Sequence, residues 1–262
     1  MSKTERTKLF NRLEVKYLVD RPTRTALNRD LQALMPPDKH AGPQGFYRVR
    51  SLYYDTPDYM AYQQKISGQA ERHKLRIRAY GDDPGQSPLI RLEVKSRYVS
   101  FIYKVVVNLS RQEYLELECA LKHRQVPHQL LSNKDMSTEF VRLKHQYNFE
   151  PRILLQYRRQ AYERVELNRV RVNFDDELVA CRDLDILGPM RGARSLLRYG
   201  HSIFEIKVDN VLPYWLHQLI SKYNLNNQAF SKFCYSVQSE ARLSSVARPD
   251  LTEGGLHPTY RY

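Results

Sequence analysis

Apolar and polar residues alternate along Arg12-Leu13-Glu14-Val15-Lys16, and the run closes on Tyr17-Leu18-Val19. That period of two is the pattern of a strand with one apolar face. Asp20-Arg21-Pro22 then opens a helix with Pro in its first turn. Ala26, Leu27, Leu31, Leu34 and Met35 fall on one helical face, and Pro36-Pro37 ends it. After a loop over 38–45, Tyr47–Tyr54 is rich in strand formers, Asp55-Thr56-Pro57-Asp58 turns the chain, and a short helix is predicted over Tyr59–Gln64. Lys74–Tyr80 and Leu89–Arg97 alternate on either side of the turn Gly81-Asp82-Asp83-Pro84-Gly85, and Phe101–Leu109 adds a strand. Ser110-Arg111-Gln112-Glu113 is a capping box for a helix to about Lys122, and a second helix is predicted over Asp135–Tyr147. Strand character returns at Arg152–Tyr162, Arg169–Phe174 and Ile203–Asp209. Helices are predicted over Leu212–Tyr223 and Phe230–Leu243, the latter amphipathic through Phe233, Val237 and Ala241. No linker divides the chain, so residues 1–245 read as one domain and 246–262 as a loose tail. Many strands in an antiparallel rhythm, with helices inserted between them, predict an α+β fold on one large curved or closed sheet.

Charge changes this picture through its placement. The 262 residues carry 42 Lys+Arg against 29 Asp+Glu, a formal net charge of +13, which points to an anionic partner. Arg12-Leu13-Glu14-Val15-Lys16 and Arg91-Leu92-Glu93-Val94-Lys95 are the same five residues, and Phe204-Glu205-Ile206-Lys207 repeats the Glu-aliphatic-Lys core. On a strand each copy puts Glu and Lys on one face and aliphatic residues on the other. The pairs Arg48/Arg50, Arg76/Arg78 and Arg169/Arg171 follow the same rule, and Lys74 shares a face with Arg76 and Arg78. One such strand is an ordinary solvated face. Six in one sheet, with the charged faces turned inward and helices covering the outside, make a cationic interior dotted with glutamates. Such an interior is tolerable only when an anion or water fills it. A polyanion with a divalent metal on the carboxylates satisfies both signs.

Other chemistries find little support. Cys119, Cys181 and Cys234 are far apart, which argues against a disulfide framework or a cysteine zinc site and makes a reducing cytosol the default. There is no Walker A loop, no GxGxxG and no HExxH. No apolar run approaches the roughly 18–20 residues of a membrane span, and the N-terminus leads into no signal-peptide core. Most of the eight histidines are expected on the surface, Asp175-Asp176-Glu177 as a solvated turn, Trp215 in the core and the 19 tyrosines packed on the sheet.

The sequence resembles the triphosphate tunnel metalloenzymes, and within them the polyphosphate polymerase (VTC) domain of the vacuolar transporter chaperone complex. The resemblance runs from about Asn11 to Leu243. In family order it rests on Lys16 in Glu-Val-Lys-Tyr-Leu-Val, Ser51-Leu52-Tyr53-Tyr54-Asp55-Thr56, Arg76-Ile77-Arg78-Ala79-Tyr80-Gly81, Glu93-Val94-Lys95, Lys104, Tyr157-Arg158-Arg159-Gln160-Ala161-Tyr162, Arg171 in Val-Arg-Val-Asn-Phe-Asp, Glu205-Ile206-Lys207 and Ser231-Lys232-Phe233. It implies a closed or nearly closed antiparallel β-barrel, a triphosphate tunnel, with helices packed around the outside. Arg12 stands where the broader family carries the first Glu of Glu-x-Glu-x-Lys, and this departure fits the polymerase branch better than a pure hydrolase.

By that resemblance Lys16, Arg76, Arg78, Lys95, Lys104, Arg159, Arg171 and Lys232 hold the triphosphate and the growing chain. Tyr157, Lys207 and Ser231 contact phosphate, and Glu205 holds Mn²⁺ or Mg²⁺. Glu14 and Glu93 are divided between metal binding and salt pairs. The implied reaction moves the γ-phosphoryl of ATP onto inorganic polyphosphate. No nucleic acid is expected, and the resemblance places the chain in the cytoplasm as a stand-alone catalytic domain, at the inner face of a membrane through a separate membrane protein. Two rivals stay open: a tunnel-family triphosphatase, and a non-enzymatic binder of polyphosphate or RNA. Oligomeric state is not legible.

Overall fold

Strand after strand pairs antiparallel with a neighbour until ten belong to one sheet, in a computed structural model that describes residues 5–8, 12–99, 101–123, 137–165, 168–228 and 230–241. The predicted tail over 246–262 lies outside the described residues. The strands are β1 (Glu5–Lys8), β2 (Arg12–Val19), β3 (Tyr47–Asp55), β4 (Glu71–Gly81), β5 (Leu89–Tyr98), β6 (Phe101–Ser110), β7 (Glu150–Val165), β8 (Arg169–Cys181), β9 (Arg194–Ser195) and β10 (Ser202–Asp209). Their order is β1-β6-β5-β4-β3-β7-β8-β10-β2, with the two-residue β9 alongside β8. The helices are α1 (Arg21–Leu34), α2 (Met60–Ile66), α3 (Arg111–Lys122), α4 (Ser137–Gln146), α5 (Tyr214–Lys222) and α6 (Lys232–Ala241). Element types match the alternation read from the sequence; β1 and β9 are additions.

Local chemistry fixes several boundaries. Asp20 caps α1 by accepting from Thr23 N at 3.0 Å, and the Ser110/Glu113 capping box forms reciprocally. Asp55 is fully buried because it caps α2: Oδ1 accepts from Thr56 N and Ala61 N at 2.8 Å, and Oδ2 from Tyr62 N at 3.0 Å. Asp55-Thr56 is therefore a structural signature.

Two apolar layers cover one face of the sheet. Leu75, Ile77, Leu92, Val94, Val105 and Val107 pack under α3 and α4 through Tyr114, Leu117 and Phe140. Tyr17, Val172, Phe174, Phe204 and Ile206 pack under α1 and α5 through Leu27, Leu31 and Leu216. Leu27 and Leu31 are wholly buried, each worth about 1.5–3 kcal/mol of transfer free energy. Trp215 is half-buried against this second layer and does not lie in its centre.

α6 departs from the expectation that helices lie outside. Its Phe233, Cys234 and Val237, with Phe230, pack on the opposite face against Tyr47, Val49 and Tyr53 of β3, Ile153, Leu155 and Tyr157 of β7, Leu178 and Ala180 of β8, and Ile203 of β10. Lys16 of β2 reaches the same segment, donating to Phe230 O at 3.3 Å. Five adjacent flat strands would span about 19 Å, wider than the roughly 10 Å of a helix. The sheet therefore curls around α6, and the charged face is the inner one. β1 and β2, at opposite ends of the strand order, are separated only by residues 9–11, which bounds the gap between Lys8 and Arg12 at about 14 Å. No ladder joins them among the described residues, so the barrel is nearly closed.

Candidate functional site

Cross-strand register puts the charged residues on one face, because directly opposed residues point the same way. Lys16 opposes Glu205, which opposes Asn173; Glu14 opposes Lys207, which opposes Arg171. Asp175 opposes Arg159, which opposes Tyr47; Tyr157 opposes Val49, which opposes Tyr80. Ser51, Arg78 and Arg91 form one row, Tyr53, Arg76 and Glu93 the next, and Lys74, Lys95 and Lys104 the last. Every strand-borne residue named as a site candidate thus lies on the inner face.

Two clusters stand out. In the first, Glu205 lies among Lys207 Nζ at 3.0 Å, Arg159 Nη2 at 3.5 Å and Lys16 Nζ at 3.8 Å, and accepts from Asn173 Nδ2 at 3.2 Å. Beside it Arg159 grips Asp175 bidentately at 2.7 and 2.8 Å, and Lys232 of α6 reaches the same carboxylate at 2.5 Å. Burial works against ionised Glu205, yet Lys207, Lys232, Lys16 and Arg159 outweigh it and hold the carboxyl well below its usual range. Asp175, likewise opposed by burial, is pulled down to about 2 by Arg159 and Lys232. The Arg159 guanidinium and the Lys232 ammonium both approach the Tyr157 ring, at 5.1 and 4.9 Å from its centroid, so the site uses its π-face.

In the second cluster Glu93, only 3% exposed, is the counter-ion. Its Oε2 takes Arg76 Nη2 at 2.5 Å, Arg76 Nε at 2.7 Å and Lys104 Nζ at 3.4 Å; Oε1 faces Arg78 Nη1 at 3.7 Å. Glu93 thus makes the salt pairs that one of its two readings called for. Arg171 is partnered by Asp38 at 2.6 Å and Tyr47 Oη at 3.1 Å. Ser231 caps α6, its Oγ accepting from Cys234 N at 3.4 Å.

Two expectations need correction. Arg48 and Arg50 lie on the outer face, since they alternate with Val49 and Ser51; Arg50 donates to Ile186 O at 2.8 Å and Gly188 O at 2.7 Å, fastening a loop. Asp175 and Asp176 are not a turn: β8 continues to Cys181, and both carboxylates are buried. Most of the described histidines are exposed, as expected; His73 is the buried exception among them, 2.8 Å from Ser96 Oγ. Sequence reasoning also passed over Asn173 and Tyr53. The period-two parity with Arg171 and with Ser51 was the available signal.

Mn²⁺ and Mg²⁺ are hard cations, commonly held by one or two carboxylates with phosphate oxygens and water completing the shell. Glu205 and Glu14 fit that donor chemistry: both approach the Lys16 ammonium, at 3.8 and 2.8 Å. Burial and Glu205 push the Glu14 carboxyl up, and Lys16 and Lys207 hold it below its usual value. Among the described residues no group of three His, Cys, Asp or Glu forms a metal site. These two carboxylates would therefore need oxygens from elsewhere.

Burial pulls the Lys207 and Lys104 ammonium groups down to about 8, against the upward pull of Glu205 and Glu93. Burial likewise brings Lys74 to about 8. The unfolded value is about 10.4, so between the two the unfolded chain binds more protons. The penalty these lysines place on folding is full below pH 8 and is relieved as pH rises towards 10.4. Polyanion affinity moves the other way, since the cations are lost. Urea unfolding and tripolyphosphate calorimetry across pH 7–10 should show these opposite slopes; parallel slopes would remove the lysines from the site.

The VTC domain family matches residues 11–241. Vacuolar transporter chaperone complex subunit 4 of Trypanosoma cruzi (strain CL Brener) is 24% identical over 223 residues, covering 73% of this chain; the chain spans 28% of that relative's length. Two solved structures from Pyrococcus horikoshii OT3 are also similar. The PH1819 protein has a TM-score of 0.46 and 12% identity over 87% of this chain and 99% of that one; the PH1012 protein has a TM-score of 0.42 and 12% identity over 84% and 96%. With the family match spanning nearly the whole described chain, this protein belongs to the VTC domain family.

Proposed function

We propose that the chain is an ATP-dependent polyphosphate polymerase. The observation that carries this reading is the convergence of cations from β2, β4, β5, β6, β7, β8, β10 and α6 on one enclosed face, with carboxylates at the centres of the cationic clusters. The family assignment and the name of the trypanosome relative support it.

Phosphoryl transfer asks for positioning and charge neutralisation more than for covalent chemistry from the protein. Arg76, Arg78 and Lys104 hold one stretch of phosphates, and Lys16, Arg159, Lys207 and Lys232 hold another. Arg171, and Lys95 in the row with Lys104, extend the band. A terminal phosphate oxygen of the acceptor attacks the γ-phosphorus of ATP. The bond from that phosphorus to the β–γ bridging oxygen breaks, and ADP leaves with the electron pair. The attacking oxygen is already anionic, so no general base is needed. Mn²⁺ or Mg²⁺, when bound, neutralises phosphate oxygens, and Glu205 with Glu14 would hold it. Ser231, at the start of α6 beside Lys232, has its hydroxyl proton available to phosphate, and the Tyr157 ring supports the Arg159 and Lys232 charges through its π-face.

ATP and inorganic polyphosphate are the partners in this reading, with no nucleic acid. Among the described residues no helix is long and apolar enough to cross a membrane. A cytoplasmic site at the inner face of a membrane, through a separate membrane protein, is part of the proposal, because the trypanosome relative is a subunit of a chaperone complex named for a vacuolar transporter. Incubation with ATP and Mn²⁺ followed by a polyphosphate gel tests the reading. A ladder is expected. Free phosphate without a ladder would make the chain a triphosphatase, and neither product would make it a binder.

A further inference from the structure

Asn173 is wholly buried on the inner face, directly opposite Glu205 in the β8–β10 ladder. An asparagine offers two donors and an acceptor. Here Nδ2 donates to Glu205 Oε2 at 3.2 Å, which fixes the orientation of the amide, because the reverse would set two acceptors against each other. Oδ1 is then left buried with no hydrogen-bond partner. A buried acceptor without a partner costs about 1–3 kcal/mol, so one in a folded core calls for an explanation. Phosphate oxygens are acceptors and cannot satisfy it. A cation, or a water bound to a cation, can.

We infer that Asn173 is a positioning residue for the divalent cation: its amide N–H holds Glu205, and its Oδ1 supplies a third oxygen beside Glu205 and Glu14, either on the cation or on a water the cation carries. This rests on the reading of Glu205 as the metal carboxylate. The inference explains why the described acidic residues alone do not complete a site: the missing oxygen comes from an amide. It also explains a polar residue in a strand position where an apolar one would bury at no cost.

The test separates metal from structure. The affinity of a non-hydrolysable ATP analogue is measured by calorimetry twice, with Mn²⁺ and with the metal chelated, and the ratio is the metal-dependent gain. Asn173→Leu should cut that gain about 10-fold, the lower end for loss of a supporting contact at a metal, and leave metal-free binding unchanged. Asn173→Asp, which adds a carboxylate oxygen, should weaken metal-free binding and raise the gain. Should Asn173→Leu keep the full gain while Glu205→Gln loses it, the assignment of Asn173 falls and Glu205 stands. Equal loss with and without Mn²⁺ would make Asn173 merely structural and overturn the inference. A parent protein with no metal-dependent gain would overturn both the inference and the metal reading of Glu205.

Discussion

Asp175→Asn should lower the stability of the free protein by about 3–5 kcal/mol, the usual cost of removing one partner from a buried ion pair. Asp175 is the only carboxylate within ion-pair distance of Lys232 among the described residues, and it takes both prongs of the Arg159 fork. Its side chain is fully buried, and those of Arg159 and Lys232 are 8% and 11% exposed. Without it two desolvated cations face each other, and the first turn of α6 loses its ionic tie to β8. The substitution also removes a negative charge from beside the phosphate path. Tripolyphosphate should therefore stabilise Asp175→Asn more than it stabilises the parent. Urea denaturation with and without tripolyphosphate reads both effects. Equal stability of variant and parent without ligand would show that Asp175 does not balance these cations. A smaller ligand-induced gain in the variant would show that phosphate does not take its place.

The contrast between what the sequence foretold and what the fold added has physical causes. Glu14/Lys16, Arg76/Arg78, Glu93/Lys95 and Glu205/Lys207 were legible because each strand is long, its outer face is aliphatic and its inner face is charged, so parity alone assigns the face. Asp175 was not legible. Three consecutive acidic residues resemble a turn, and a local irregularity is in fact present: Glu177 has φ 53°, and the β7–β8 register shifts between Gln156 and Arg158. That is the behaviour of a bulge, which bends a strand without ending it. The Arg48/Arg50 pair misled because parity fixes only the relative face. Arg50 spends its guanidinium on carbonyls of a loop more than 130 residues away, which no local pattern reveals. α6 posed the same problem in another form. Phe233 and Val237 define an apolar stripe, but a stripe does not say which side of a sheet it will meet. Only the curl of the sheet decides that.

Glu205→Gln should abolish metal-dependent ATP turnover, by at least about 10²-fold in kcat, the scale seen when one preorganised electrostatic contact to the reacting group is lost. Glu205 is ionised throughout the working pH range, because its surrounding cations hold its carboxyl well below the usual value. Glutamine keeps the size and the acceptor for Asn173, and loses the charge a hard divalent cation requires. Phosphate binding without metal should survive or tighten, since Lys16, Arg159 and Lys207 remain and an anion has gone. Arg76→Ala should behave oppositely and weaken binding first, for it removes a phosphate fork and loosens the cluster around Glu93. The two roles of Glu205, counter-ion and metal carboxylate, separate in the same experiment. Thermal unfolding reports the first, and the dependence of turnover on Mn²⁺ concentration reports the second. If Glu205→Gln turns over ATP like the parent at every Mn²⁺ concentration, the metal role passes to Glu14. Glu93, ringed by Arg76, Arg78 and Lys104, is the carboxylate after it.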